Sequence, residues 1–356
     1  MKFFVCLLLF SLFFLPVTIH AQQDKIDVFI RNQMKQQGIT GLSIGIIQDG
    51  KITKATGYGK ANIEWNVPAT AATVYKIGSV SKQFIAVAIM QLVQAGTLQV
   101  SDPVSKYIAG APATWNGITT RHLLNHTSGL AEDPPGFDAM ADEADSVYIK
   151  AAFADTLAFA TGTKYAYSNL GYFVLADIIR IVTHGSFADY MQKNIFAACG
   201  LASTRTTSLA AIVPHRAAGY MGSKDSIRNA PNWVAMRPSG AFLSTINDML
   251  KWELCMQQHK LLFLQQWNQL WTDTIKTPFT MDNEPIYYGY GWMTNKVNGK
   301  QFVHHGGSLP GFKSVYFRYP EEKTAIIVLT NADNADAYAI GFGVKDLLPV
   351  KSKKKL

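Results

Sequence analysis

Apolar positions along the chain fall into three regimes. Behind Lys2 they are almost continuous from Phe3 to Leu15. Between Leu42 and Tyr58 they form short extended stretches broken at Asp49-Gly50, and from Ser79 onward they take helical spacing. The middle regime predicts a hairpin, Leu42–Gln48 and Lys51–Tyr58, because Asp-Gly supplies the left-handed residues that a tight turn needs. Ahead of it, Asp24 to Gln37 reads as a helix ended by Gly38. In the third regime Ile85, Ala88, Ile89, Leu92 and Val93 share a helix face, and Phe84, Val87 and Met90 fill most of the rest. A helix apolar nearly all round belongs inside a domain, and Gly96 stops it.

Residues 100 to 230 predict mostly helix with long loops, the clearest helices being Asn169–Thr183 and Ser186–Ala198. Another starts at Ser244-Thr245 and runs through Trp252 to Gln257, with Asp248 in its first turn suiting the dipole. Strands return at Gly289–Thr294, Gln301–His305, Lys313–Tyr319 and Thr324–Thr330, and a helix over about 335–348 closes the pattern. Strands at both ends with helices between predict an α/β plus all-α class. An antiparallel β-sheet built from both chain ends is flanked by N- and C-terminal helices and carries an inserted, mostly helical domain. The α/β part covers about 22–78 and 235–350, and the helical part about 79–234.

Composition narrows the class without naming a function. The 356 residues are 48% hydrophobic and 16% charged, which excludes disordered and collagen-like chains. Lys2, the apolar run and Ala21 ahead of Gln22-Gln23-Asp24 form a secretory signal pattern over 1–21, too short for a membrane anchor. A secreted or periplasmic chain with no stable membrane span after processing is expected. The net charge of +8 shrinks on inspection, because Lys2 sits in the leader and four lysines sit in the tail at 351–356. The body is nearly balanced and has no basic stripe, so nucleic acid is not an expected partner. Cys199 and Cys255 are too few for a disulfide framework. They read as two buried free thiols, although an oxidising compartment would permit them to pair.

Candidate chemistry lies in four places. Gly41-Leu42-Ser43-Ile44-Gly45 matches G-x-S-x-G, but that motif works on a strand-to-helix turn and here lies in a hairpin strand, so Ser43 is set aside. Ser79-Val80-Ser81-Lys82 is an S-x-x-K that puts both side chains one turn apart on one helix face. Lys82 can take a proton from Ser79 only if burial or neighbouring cations pull its pKa down from about 10.4. The spacing alone is weak, since Ser352 to Lys355 repeats it, and Ser79 alone reads more readily as a helix N-cap. Tyr167-Ser168-Asn169 precedes a helix; Tyr167 suits a proton relay, its pKa lowered by a neighbouring cation, and Asn169 offers both a donor and an acceptor. Last, His304-His305-Gly306-Gly307-Ser308 ends a strand, where the glycines permit close backbone approach and a histidine can supply a hydrogen bond or positive charge. His122 and His126 have zinc-protease spacing, but Leu123 stands where the catalytic glutamate belongs.

In this order, S-x-x-K, Y-x-N and H-G-G have His122 to Leu130 (HLLNHTSGL), Arg237 to Leu243 (RPSGAFL) and His305 to Phe312 (HGGSLPGF) as flanks. With them the chain resembles the penicillin-recognising serine hydrolases, in the branch of class C β-lactamases, DD-peptidases, D-aminopeptidases and esterases. The resemblance covers nearly all of residues 22–350 and implies a β-lactamase/transpeptidase-like fold with no metal or organic cofactor. It makes Ser79 the nucleophile of an acyl-enzyme, gives Lys82 and Tyr167 the coupled acid and base work, and lets Asn169 position Lys82 and substrate. It places the oxyanion hole at the Ser79 and Ser308 amides, along the His305-Gly306-Gly307-Ser308 edge. His305 stands where many members have the lysine of K-T-G, a departure that weakens a β-lactamase reading. The expected partner is a small peptide, ester or β-lactam, with D-amino-acid peptides of the cell wall foremost. The alternatives are β-lactam hydrolysis, an esterase, or a slow-turnover penicillin-binding or sensing protein; oligomeric state is left open.

Overall fold

The computed structural model describes residues 16–349 apart from 142, 209, 224, 235–237 and 241. Most of the expected leader, the basic tail, and Arg237 and Ala241 of the RPSGAFL stretch therefore lie outside the described residues. Helix α1 (Pro16–Gln37) begins well before Asp24 and ends at Gly38, which takes a left-handed φ of 70°. The hairpin follows as β1 (Gly41–Gln48) and β2 (Lys51–Asn62), with Asp49 and Gly50 at positive φ. A short β3 (Val67–Pro68) leads to α2 (Lys82–Gln94), α3 (Asn169–Thr183), α4 (Ile246–Gln257) and α5 (Leu264–Thr272). The chain then returns to strands: β4 (Ile275–Met281), β5 (Glu284–Tyr288), β6 (Met293–Val297), β7 (Lys300–Leu309), β8 (Phe312–Tyr319) and β9 (Thr324–Thr330). Helix α6 (Ala337–Leu347) ends the fold.

The strands form one nine-stranded antiparallel sheet in the order β3-β2-β1-β9-β8-β7-β6-β5-β4. It is closed between the chain ends by β1 against β9, with Ile44 opposite Val328. Strand alternation sorts its two faces. Leu42, Ile44 and Ile46 join Ile326 and Val328 in a core with Ile26 and Ile30 of α1 and Ile340 and Val344 of α6. Ile327 and Leu329 point the other way, into a larger core containing α2, α3 and α4. Gly45 is part of that second face: a Cβ there would come within 2.9 Å of the Leu250 side chain, so the glycine lets α4 lie flat on the sheet. Between Phe84 and Met90 every residue of α2 is buried, as its all-round apolar pattern predicts.

The outlines of the sheet and of α2, α3 and α4 follow the sequence pattern, and three local expectations do not. Gly289–Thr294 is not one strand; β5 ends at Tyr288 and β6 starts at Met293, with a turn between. That turn passes over the start of α2, where a Cβ on Gly291 would meet the Lys82 carbonyl oxygen at 2.8 Å. Ser186–Ala198 is broken into a helical turn, a π-helical turn and a 3-10 turn. Ser43, by contrast, lies in the hairpin strand as expected and is fully buried, donating to the Thr70 carbonyl at 2.8 Å and sharing a hydrogen bond with the Tyr75 hydroxyl.

The third correction concerns the cysteines, which are not free thiols. Cys199 closes the 3-10 turn that packs on α4, and Cys255 lies in α4, so their Cα atoms stand 5.8 Å apart and a disulfide joins them. This is within the range that a disulfide spans without backbone movement. A link across 56 residues of sequence restricts the unfolded chain by up to about 4 kcal/mol on the loop-entropy model. Cys255→Ser is therefore expected to lower stability by about 2–4 kcal/mol, read from urea melts with and without reductant. Identical midpoints for the two proteins under oxidising conditions would show that the bond contributes nothing.

Candidate active site

A 3-10 turn, Gly78–Ser81, delivers Ser79 to the start of α2. Ser79 is not an N-cap: neither the turn nor α2 has a side-chain cap hydrogen bond. The turn is held from three sides. The Ile77 amide donates to the Phe242 carbonyl at 3.0 Å, the Ser314 hydroxyl donates to the Ile77 carbonyl at 2.7 Å, and the Ser81 hydroxyl donates to the Gly78 carbonyl at 2.7 Å. Strand β7 lies directly against it. Gly78 has a φ of 55°, and a Cβ there would sit 2.5 Å from the Ser308 nitrogen. A Cβ on Gly307 would strike the Ile77 carbonyl oxygen. These two glycines let the Ser308 amide approach Ser79. Because β6 pairs with β7 only up to His304, residues 305–309 leave one strand edge open beside the serine.

Lys82 is fully buried beneath Ser79. Its Nζ lies 2.8 Å from Asn169 Oδ1, 2.6 Å from the Ser239 carbonyl and 3.2 Å from Ser79 Oγ. The rings of Tyr167 and Tyr172 face it at 4.7 and 5.3 Å. Burial pulls its pKa down to about 7 against the opposing pull of Asp133 and Glu132. Two of its three acceptors are carbonyl oxygens, which only accept. A neutral amine must then donate to both of these and turn its lone pair toward Ser79.

Asn169 opens α3, whose N-cap Ser168 accepts from the Gly171 amide at 3.0 Å. While its Oδ1 holds Lys82, its Nδ2 donates to Asp133 at 2.9 Å. Tyr167 is half-buried, with its hydroxyl shielded from solvent beside that of Ser79. Its pKa is raised well above 10, not lowered as the sequence suggested. Burial dominates, and Lys82 stands over the ring face instead of near the oxygen.

Two histidines that the sequence analysis singled out are neutral props. His126 accepts the Ser168 amide on Nδ1 at 3.1 Å, and its ring stacks 4.2 Å from that of Tyr167. His122 instead serves the capping box of Thr119, so the two do not share a site. His305 donates from Nδ1 to the Gly306 carbonyl and accepts the Tyr288 hydroxyl on Nε2 at 2.9 Å. Burial pushes His126 well below 6.5 and His305 down to about 3, so neither supplies positive charge at neutral pH. Expected charge assistance from His305 is thereby removed.

Above these groups is a cleft of about 790 Å³ lined by Ser79, Tyr167, Asn169, His305, Gly306, Gly307 and Ser308. The residues of the S-x-x-K, Y-x-N and H-G-G motifs thus meet at one place, with Lys82 beneath. The cleft also holds residues that carried no motif: Glu132, Asp133, Trp233 and Lys313. The loop that follows Leu130 contributes the two carboxylates. Its backbone matters as well, since the Glu132 carbonyl accepts the Asn169 and Leu170 amides at the start of α3. Tyr288 and Ser239 were missed because a lone aromatic and a main-chain carbonyl leave no residue-type signature.

A family model described as Beta-lactamase matches residues 26–342. The chain belongs to the Beta-lactamase family. Among solved structures, this Beta-lactamase family chain is similar to an octameric penicillin-binding protein homologue from Pyrococcus abyssi. The TM-score is 0.80 at 28% identity, over 94% of this chain and 79% of that one. D-amino acid amidase from Ochrobactrum anthropi SV3 shares the fold, with a TM-score of 0.80 at 21% identity over 91% and 96% of the two chains. Protein flp of Staphylococcus aureus (strain MW2) is 29% identical over 323 residues, 88% of this chain and 64% of that protein. The chain thus spans less than two-thirds of the length of that relative. Membership places the chain in the β-lactamase and penicillin-binding superfamily.

Proposed function

We propose that the protein cleaves an amide or ester bond through a Ser79 acyl-enzyme, acting on D-amino-acid peptides or related cell-wall substrates. The observation that carries this reading is the buried Lys82 amine, clamped by Asn169 and Ser239 and left with one direction open, toward Ser79. The neutral amine takes the Ser79 proton as Oγ attacks the substrate carbonyl carbon. The tetrahedral oxyanion is held by the amides of Ser79 and Ser308. Collapse breaks the bond to the leaving group, which takes a proton from the Lys82 and Tyr167 pair. Tyr167, being protonated, is suited to donate it. Water then attacks the ester and gives its proton to the same pair, which passes it to Ser79 Oγ as the bond to the serine breaks and the acid is released.

The amidase relative acts, by its name, on D-amino acid amides, and the exposed carboxylates of Glu132 and Asp133 at the cleft favour a substrate with a positive group. The leader pattern and the Cys199–Cys255 bond support an oxidising compartment outside the cytoplasm. Intact mass spectrometry over time with D-alanyl peptides, a chromogenic cephalosporin and short esters tests the reading. A transient adduct on the D-peptide is expected. Turnover of the cephalosporin alone would move the assignment to a β-lactamase, and an adduct that never decays would make the protein a sensor.

A further inference from the structure

An anionic substrate group entering this cleft has to find a cation other than the family's usual one. His305 is neutral, with both ring nitrogens already engaged, and Lys82 is buried with three acceptors. Lys313 remains. It lies on β8 directly opposite Ser308 of β7, it lines the cleft, and its Nζ reaches Ser308 Oγ at 2.6 Å. An ammonium has three donors, of which this contact uses one. No described carboxylate forms an ion pair with it; of the acids in the cleft, Asp133 accepts from Asn169, and Asp336 accepts the Ala339 amide at the start of α6. Because Ser308 Oγ accepts from Lys313, the Ser308 hydroxyl proton is available to a ligand. The pair therefore offers a carboxylate one charged and one neutral donor, next to the amide proposed for the oxyanion hole.

We propose that Lys313, with Ser308, anchors a carboxylate of the substrate, so that the site selects short peptides with a free C-terminus over their amides. The inference rests on the reading of the site just given and names its substrate class more narrowly. Glu132 and Asp133 on the same cleft suit the amino end of such a peptide, which makes the preferred ligand a zwitterion.

The test uses the full chain and measures how D-alanyl-D-alanine and D-alanyl-D-alaninamide protect Ser79 from a fluorophosphonate probe. In the parent protein the free acid is expected to protect at about tenfold lower concentration than the amide, the scale of one charge-assisted hydrogen bond. Lys313→Met should bring the two concentrations together, Lys313→Arg should keep them apart, and Lys313→Glu should favour the amide. A lysine that only braced Ser308 would shift both ligands alike and leave their ratio unchanged. A parent ratio near one, a ratio that survives Lys313→Met, or protection by neither dipeptide overturns the inference while leaving the hydrolase reading in place. Absence of probe labelling at Ser79 overturns that reading, and this inference with it.

Discussion

Ser79→Ala is expected to abolish fluorophosphonate labelling and to slow turnover by on the order of a million-fold, with a thermal midpoint within about 2 °C of the parent. The size of the first effect follows from chemistry, because among the described residues Ser79 is the hydroxyl that faces the buried Lys82 amine, whereas the Lys313 amine beside Ser308 is not buried. Ser43, the other motif serine, is sealed between Thr70 and Tyr75. The small size of the second follows from what Ser79 Oγ does not do. It caps no helix, and its hydrogen bond is the 3.2 Å contact from Lys82, which keeps its two carbonyl acceptors in the variant. Labelling that persists in a folded Ser79→Ala protein would show that the nucleophile is elsewhere.

Lys82→Met should cost about 10²–10⁴-fold in acylation, the usual contribution of a positioned general base, and should remove a pH dependence. With the amine titrating at about 7, the parent's acylation rate rises as pH is raised through 7 and levels off once the lysine is neutral. Stability carries the same signature. The folded pKa of about 7 lies below the unsolicited value of 10.5, so between these pH values the unfolded chain holds the extra proton. Stability therefore increases with pH across that window, and the cost of burying the ammonium is fully present below it. Urea melts of parent and Lys82→Met at several pH values read this as a difference that moves in the parent's favour from pH 7 to 10. An acylation profile flat from pH 5 to 9, or parallel stability curves, would refute a titrating Lys82.

The chemistry was legible wherever it rests on residue types at local spacing. Ser79 and Lys82 meet because they are three apart at a helix start, and Tyr167 and Asn169 arrive together because Ser168 caps α3. Gly306 and Gly307 signalled a close backbone approach before any partner was visible. The electrostatics were not legible. Lys82 needed either burial or cationic neighbours, and the choice falls to burial because His126 and His305 are both neutral. The same exclusion of water raises Tyr167, reversing the expected direction. Lys313 had no motif, since its relation to Ser308 is a cross-strand register that a hairpin creates.

By itself, then, the sequence determined the secondary-structure plan, the pairing of Ser79 with Lys82, and the family, because hydrophobic period and short spacings are written in neighbouring residues. Tertiary structure decided which protonation states those groups hold, that Cys199 and Cys255 are joined, and where the cleft keeps its charge. Each depends on groups far apart in the chain; the carbonyl of Ser239 that clamps Lys82 is 157 residues away. Desolvation and hydrogen-bond partners act through space, and only the folded sheet and helices bring those residues into range.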